Sequence, residues 1–268
     1  MRTSVGRVVP DPPRSDRPSA VRKGSGRWDP GAVPSVEDMP TSDAGPAGTP
    51  PSDCDLVLPC RDEAAALPAL LGRVPAGIAV IVVDNGSRDG TADVARAHGA
   101  RVVHETVPGY GAAVHAGVLA ATGEYVAVMD GDGSFDPQVL STLLDDVRSG
   151  HADLAVCRRR PVGRGSWPWH ARTGNALVVW WLRRAADLPV HDIAPVRVCR
   201  RQALLDLGVA DRRFGYPVEL LQRAVRAGWR IVEHDVDYLP RAAGTRSKVS
   251  GSVRGTLRTA HDFWAVLS

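Results

Sequence analysis

A chain of 268 residues with 44% hydrophobic content can enclose a core of its own, which excludes a small scaffold that disulfides or a metal must staple. The net charge is only +3, but its sign is divided: residues 51–150 carry 6 Lys/Arg against 14 Asp/Glu, and residues 151–268 carry 20 against 10. The first stretch suits a cation; the second suits phosphate or an anionic surface.

Residues 1–52 are rich in Pro, Gly, Ser, Asp and Arg and lack a periodic apolar pattern, which predicts a disordered tail ahead of a domain over 53–268. From residue 55 strands and helices alternate. DLVLPC (55–60) reads as a short strand, and EAAALPALLGRV (63–74) as a helix disturbed by Pro68. IAVIVVD (78–84) is an apolar strand of the kind that parallel sheets bury on both faces. TADVARAHG (91–99) is a helix closed by Gly99. The strand RVVHE (101–105), the helix YGAAVHAGVLAAT (110–122) and the strand EYVAVMD (124–130) follow. Next come a helix over 136–150 with Pro137 in its first turn and the strand ADLAVC (152–157). Such alternation predicts an α/β fold, Rossmann-like, with a mostly parallel central sheet flanked by helices.

After residue 157 the texture changes. RRRPVGRGSWPWH (158–170) is a basic, aromatic loop, followed by the helical stretch GNALVVWWLRRAADL (174–188). Then come DIAPVRVCRRQALLDL (192–207), the helix PVELLQRAVRAG (217–228), the strand WRIVEHDVDYL (229–239), a polar loop and a final helix to Ser268. Cys54, Cys60, Cys157 and Cys199 form no CxxC pair, so neither a zinc knuckle nor a redox motif is written. With no signal-like start and no apolar run of about 18 residues, the expectation is a cytoplasmic protein without a membrane span.

Ligands of open α/β sheets bind at the carboxyl ends of parallel strands, and three motifs fall at such ends: LPCRDEA (58–64), VVDNGSRDGTA (82–92) and MDGDGSFDP (129–137). In the third, Asp130 and Asp132 stand two residues apart, so in extended chain both carboxylates lean to one side and can share a hard cation. An EF-hand loop is excluded, because Phe135 holds the place of its turn glycine and Ser141 that of its closing Glu. Asp136, followed by Pro137, reads as a helix cap instead. Asp84 ends the most apolar strand and is placed to bind a base or a ribose hydroxyl. GYGAAV (109–114) is an incomplete dinucleotide loop, with Val114 where the third glycine belongs.

In order and spacing, LVLPCRDEAAALPALL (56–71), VIVVDNGSRDGTADVA (80–95) and the segment 108–137 resemble the family 2 glycosyltransferases, in particular the dolichyl-phosphate mannose synthase-like and polyprenyl-phosphate glycosyltransferase branch. VHDIAPVRVCRR (190–201), the segment 216–241 and TRSKVSG (245–251) extend the likeness to about four-fifths of the chain. The resemblance implies a GT-A fold with a nucleotide-binding half (53–157) and an acceptor-binding half (158–268). It implies nucleotide contacts at Pro59, Glu63, Asp84 and Ser87, and a Mg²⁺ or Mn²⁺ ion held by Asp130 and Asp132. Ser134 stands where some members place a third ligand. Arg241, Ser247 and Lys248 match a segment that lies near phosphate, and Arg241 and Lys248 join the two aspartates as catalytic candidates. Asn85 replaces the second aspartate common in the family's VDDGS, and Tyr110 replaces a frequent lysine.

The reaction so implied is metal-dependent, inverting transfer of a sugar from a nucleotide-sugar to a polyprenyl phosphate. The alternatives are a small soluble hydroxyl or phosphate acceptor, or a non-catalytic sugar-nucleotide-binding module. A phosphate acceptor is already ionised near neutrality and needs cations rather than a base; a hydroxyl acceptor needs a base, for which Glu219 and Asp192 are candidates. Arg172 and Arg158 are further candidates for orienting a phosphate. Trp167, Trp169, Trp180 and Trp181 among arginines suggest peripheral contact with the inner face of a membrane. No RNA- or DNA-binding module is recognisable, so no nucleic-acid partner is expected.

Overall fold

A computed structural model describes residues 52–163, 167, 169–186, 188 and 190–241. All but the last residue of the predicted tail, the predicted final helix, Ser247 and Lys248 lie outside the described residues. In chain order the elements are β1 (Cys54–Cys60), α1 (Leu67–Leu71), β2 (Ile78–Asp84), α2 (Thr91–Ala97), β3 (Arg101–His104), α3 (Tyr110–Ala120), β4 (Tyr125–Val128), α4 (Val139–Arg148), β5 (Leu154–Pro161), α5 (Trp169–Ala186), β6 (Arg197–Arg200), α6 (Arg201–Asp206), α7 (Tyr216–Arg226) and β7 (Ile231–Tyr238).

The strands form one sheet in the order β3-β2-β1-β4-β6-β5-β7. Pairing is parallel for β1 with β2 and β4, for β2 with β3 and for β5 with β7, while β6 runs antiparallel to β4 and β5. The expected mostly parallel sheet is present, with β6 as its one reversed strand among those described. The line at 157/158 between the two expected halves falls inside β5, and β6 inserts between β4 and β5, so the sheet runs through both.

The apolar run of β2 is explained by cover on both faces. Val82 packs in a core with Leu67, Leu70, Ala95, Leu140 and Leu143 of α1, α2 and α4. Val83 packs on the other face with Val114, Leu204, Val218 and Leu221 of α3, α6 and α7. Each is fully enclosed, and burial of such a side chain contributes about 1.5–3 kcal/mol. Because β2 and β4 flank β1 on opposite sides, the chain order reverses beside β1. In sheets of this kind such a switch point, at the carboxyl ends of the strands, is where a ligand site is expected.

Three elements differ from the sequence expectation, one of them α5, which begins at Trp169 inside the stretch read as a loop and not at residue 174. The first helix is only five residues long and takes Pro68 into its first turn, where the missing N–H costs nothing; the proline starts this helix rather than disturbing it. The strand read as ending at Cys157 continues through Arg158, Arg159 and Arg160, because its parallel partner β7 pairs with it out to Pro161. The basic loop therefore begins later than its composition suggests.

Candidate active site

At the ends of β1 and β2 two loops are laced together. The Asp62 N–H donates to Ser87 Oγ at 3.0 Å, the Arg88 N–H to Asp62 Oδ1 at 2.8 Å, and the Glu63 N–H to Thr91 Oγ1 at 3.0 Å. Asp84, nearly enclosed, accepts the Ser87 N–H at 2.9 Å and lies 3.4 Å from His104 Nδ1. Pro59 is opposite Val83 in register. Pro59 and Asp84 thus lie at the ends of two paired strands, and Glu63 and Ser87 on the loops that follow them.

Asn85 has a task the sequence did not reveal. Its Nδ2 donates to the carbonyls of Glu105 and Val107 at 2.9 and 2.8 Å, and its Oδ1 accepts the Gly109 N–H at 2.9 Å. The GYG segment is equally occupied. Gly111 and Ala112 donate their N–H groups to the carbonyls of Arg213 and Arg212, both at 2.9 Å. A methyl on Gly109 or Gly111 would lie 2.1 or 2.6 Å from the carbonyl oxygens of Arg212 or Asp211. These glycines let two backbones touch, and the start of α3 has spent its first N–H groups on protein rather than on a dinucleotide phosphate.

The turn after β4 lies against the end of β1, since a methyl on Gly131 would come 2.4 Å from Cys60 Sγ. This contact joins the first and third motifs. Asp132 is enclosed: its Oδ1 accepts both the N–H of Ser134 at 2.9 Å and the Ser134 hydroxyl at 2.5 Å, and its Oδ2 pairs with Arg241 Nη1 at 2.9 Å. The Leu239 N–H donates to Ser134 O at 3.0 Å, which brings the end of β7, and Arg241 beyond it, to this turn. Burial pushes the Asp130 carboxyl up to about 6, and the charge of Asp132 adds to the rise against the pull of Arg241, Arg159 and Arg197. Asp136, read as a helix cap, accepts the Gln138 N–H in the turn ahead of α4 and pairs with Arg73.

Arg159 and Arg197 did not stand out in the sequence. Arg159 grips Asp192 through two guanidinium nitrogens at 2.6 and 2.8 Å and lies over the Trp167 ring at 4.1 Å. Arg197 is fully enclosed, donates to Tyr110 Oη at 2.8 Å and to Ala194 O at 3.1 Å, and lies near the Tyr110 and Tyr216 rings. It sits opposite Val128, the last residue of β4, and its charge acts on Asp130 in the turn beyond. The strand alternation of β5 could have separated Arg159 from its neighbours had its true end been legible. Arg158 and Arg160 both pair with Asp235 instead, at 2.6 and 2.7 Å, and Arg172 is exposed on α5.

The two candidate bases are committed elsewhere. Asp192 is held by Arg159 and by the N–H groups of Arg159 and Ile193. Glu219 accepts the N–H groups of Ala210 and Asp211 and pairs with Arg223 at 2.6 Å. Among the described residues no group of three His, Cys, Asp or Glu side chains could hold a metal ion. Two adjacent carboxylates with oxygen donors fit a hard cation that completes its shell with substrate phosphates, as Mg²⁺ does.

The carboxylate pair after β4 and the arginines near it mark an α/β protein whose strand ends can take a cation and an anionic ligand. The family model described as "Glycosyl transferase family 2" matches residues 55–200. An uncharacterized glycosyltransferase of Mycobacterium tuberculosis is 59% identical over 213 residues, covering 80% of this chain and 97% of the relative. The polyprenol monophosphomannose synthase of Mycolicibacterium smegmatis is 35% identical over 219 residues, covering 74% and 81%. The crystal structure of glucosyl-3-phosphoglycerate synthase from M. tuberculosis, in complex with Mn²⁺, UDP and glucosyl-3-phosphoglycerate, superposes with a TM-score of 0.62 at 22% identity, covering 80% and 78%. The chain belongs to glycosyl transferase family 2, is a glycosyltransferase, and has the expected GT-A fold.

Proposed function

We propose that the protein transfers a sugar, with inversion, from a nucleotide-sugar to a phosphate-bearing acceptor, and that this acceptor is a polyprenyl phosphate. One observation carries the reading: Arg241 pairs with Asp132 and Arg197 adds a buried positive charge near Asp130, while Asp192 is neutralised by Arg159 and Glu219 is tied up with Arg223 and backbone N–H groups. A phosphate acceptor needs orienting cations and no strong base. Pro59, Glu63, Asp84 and Ser87 would line the nucleotide, which assigns residues 53–157 to the donor and the remainder to the acceptor. Asp130 and Asp132 would hold Mg²⁺ or Mn²⁺, with the Ser134 hydroxyl as a further ligand or as the group that orients Asp132. When bound, the cation neutralises charge on the departing nucleoside diphosphate. Arg241, with Ser247 and Lys248 beyond the described residues, would orient the acceptor phosphate.

Likeness to the polyprenol monophosphomannose synthase supports the lipid acceptor. Likeness to glucosyl-3-phosphoglycerate synthase favours a second reading, a small phosphorylated acceptor. None of the described helices is long and apolar enough to cross a membrane, so a lipid acceptor would be met at a surface, on the cytoplasmic side where nucleotide-sugars are made. The outward face of α5 suits this: Leu177 and Trp180 are 66% and 58% exposed, Arg172, Arg183 and Arg184 are exposed around them, and residues 169–186 contain no acid.

The deciding experiment is a panel of UDP-, GDP- and TDP-sugars with Mn²⁺ or Mg²⁺ against polyprenyl phosphate and small phosphorylated acceptors. Nucleoside diphosphate release with polyprenyl phosphate is expected. Release with small acceptors alone selects the second reading, and silence throughout rejects both.

A further inference from the structure

Of the three arginines near the carboxylate pair, Arg159 is held by Asp192, and the other two are held in different ways. Arg197 is 1% exposed, braced by Tyr110 Oη and Ala194 O, and is a fixed charge. The Arg241 side chain is 27% exposed, follows the last strand, and meets Asp132 Oδ2 at 2.9 Å. The opposite oxygen of Asp132 already accepts two hydrogen bonds from Ser134, so Oδ2 is the oxygen left for any incoming cation. A cation on Oδ2 would stand close to the guanidinium, and like charges sharing one enclosed carboxylate oxygen repel strongly.

We infer that Arg241 is a tethered competitor of the divalent cation: it holds Asp132 Oδ2 in the unliganded chain and leaves it for phosphate oxygens when cation and nucleotide arrive together. The inference rests on the reading of this site as a metal–nucleotide site. A guanidinium that gives up a carboxylate finds an equivalent two-pronged partner in a phosphate. The exchange discourages binding of the cation alone and rewards its binding with a diphosphate, so the residue contributes to positive coupling between the two ligands. A static ion pair would by its charge alone oppose the cation and favour the anion, but it would leave the coupling between them unchanged, so the coupling is the readout that separates the two.

The test measures Mn²⁺ binding to the full chain by the loss of the free-ion paramagnetic resonance signal, without nucleotide and with UDP or GDP. The proteins are wild type, Arg241→Gln and Arg241→Lys. Arg241→Gln is expected to bind Mn²⁺ alone about tenfold tighter and to lose about tenfold in the coupling between Mn²⁺ and nucleotide, with Arg241→Lys in between. If wild type binds Mn²⁺ with nucleotide but Arg241→Gln binds Mn²⁺ alone equally or more weakly, or leaves the coupling between Mn²⁺ and nucleotide unchanged, the exchange is wrong and the site reading stands. If wild type binds Mn²⁺ with neither nucleotide, both fail. Should the glutamine variant not fold by circular dichroism, the lysine variant decides: Mn²⁺ affinity and coupling both unchanged overturn the exchange.

Discussion

The side-chain amide of Asn85 accepts the backbone N–H of Gly109 at 2.9 Å, tying the loop after β2 to the start of α3. The same amide donates to Glu105 and Val107 carbonyls, which an ionised carboxylate cannot do. Asn85→Asp should therefore lower stability by about 1–3 kcal/mol, the cost of leaving those acceptors facing a like-charged group. Urea unfolding at neutral pH measures it. An unchanged midpoint would show that the amide does not hold the loop.

Gly111→Ala should be more damaging than its size suggests. Its new methyl would lie 2.6 Å from Asp211 O and 2.8 Å from Arg212 C, both backbone atoms that cannot swing aside. Overpacking of this kind costs about 1–3 kcal/mol or more. Thermal unfolding should report it, together with weaker nucleotide binding as the loop after β3 is pushed out.

His115 carries a pH signature. Burial, with Arg212 nearby, pulls its imidazole down to about 4, whereas in the unfolded chain it titrates near about 6.5. Between those values the unfolded chain binds a proton that the folded chain refuses. Stability should fall as pH drops through that window and level off below it. His115→Gln should lose this part of the slope when urea midpoints are compared across the window.

Asp132→Asn keeps the shape of the turn but removes the charge that Arg241 and a cation share. Turnover should fall on the order of 10²–10³-fold. Asp130→Ala should likewise abolish most turnover in an enzyme, whereas a non-catalytic binding module would keep its nucleotide affinity without either aspartate. Steady-state kinetics and nucleotide titration, run together, separate these.

Trp180→Glu should leave stability within about 0.5 kcal/mol, as exposed substitutions do, yet reduce flotation with anionic vesicles by several-fold. Equal flotation of variant and wild type would remove α5 as the contact, and no flotation of wild type would remove the membrane from the reading.

Much of this site was written locally. A carboxylate pair two residues apart after an apolar strand can be read without knowing what packs beside it, and the same holds for Asp84 at the end of β2. The helix faces and the alternation of strands with helices are likewise short-range patterns, so the α/β class followed from them. Arg159 was hidden because its direction depends on β5 continuing past Cys157, which only pairing with β7 decides. Asp192 and Glu219 kept the appearance of free bases until their partners, 33 residues and 4 to 9 residues away, came into view.

By itself, then, the sequence marked which strand ends are candidates for chemistry, because residue type and spacing of two act within a single segment. Only the tertiary structure decided which charges remain available there. The insertion of β6 between β4 and β5 buries Arg197 beside the end of β4, and the return of β7 to Ser134 presents Arg241 to Asp132. Those are contacts between segments far apart in the chain, formed through packing and desolvation that no local pattern encodes.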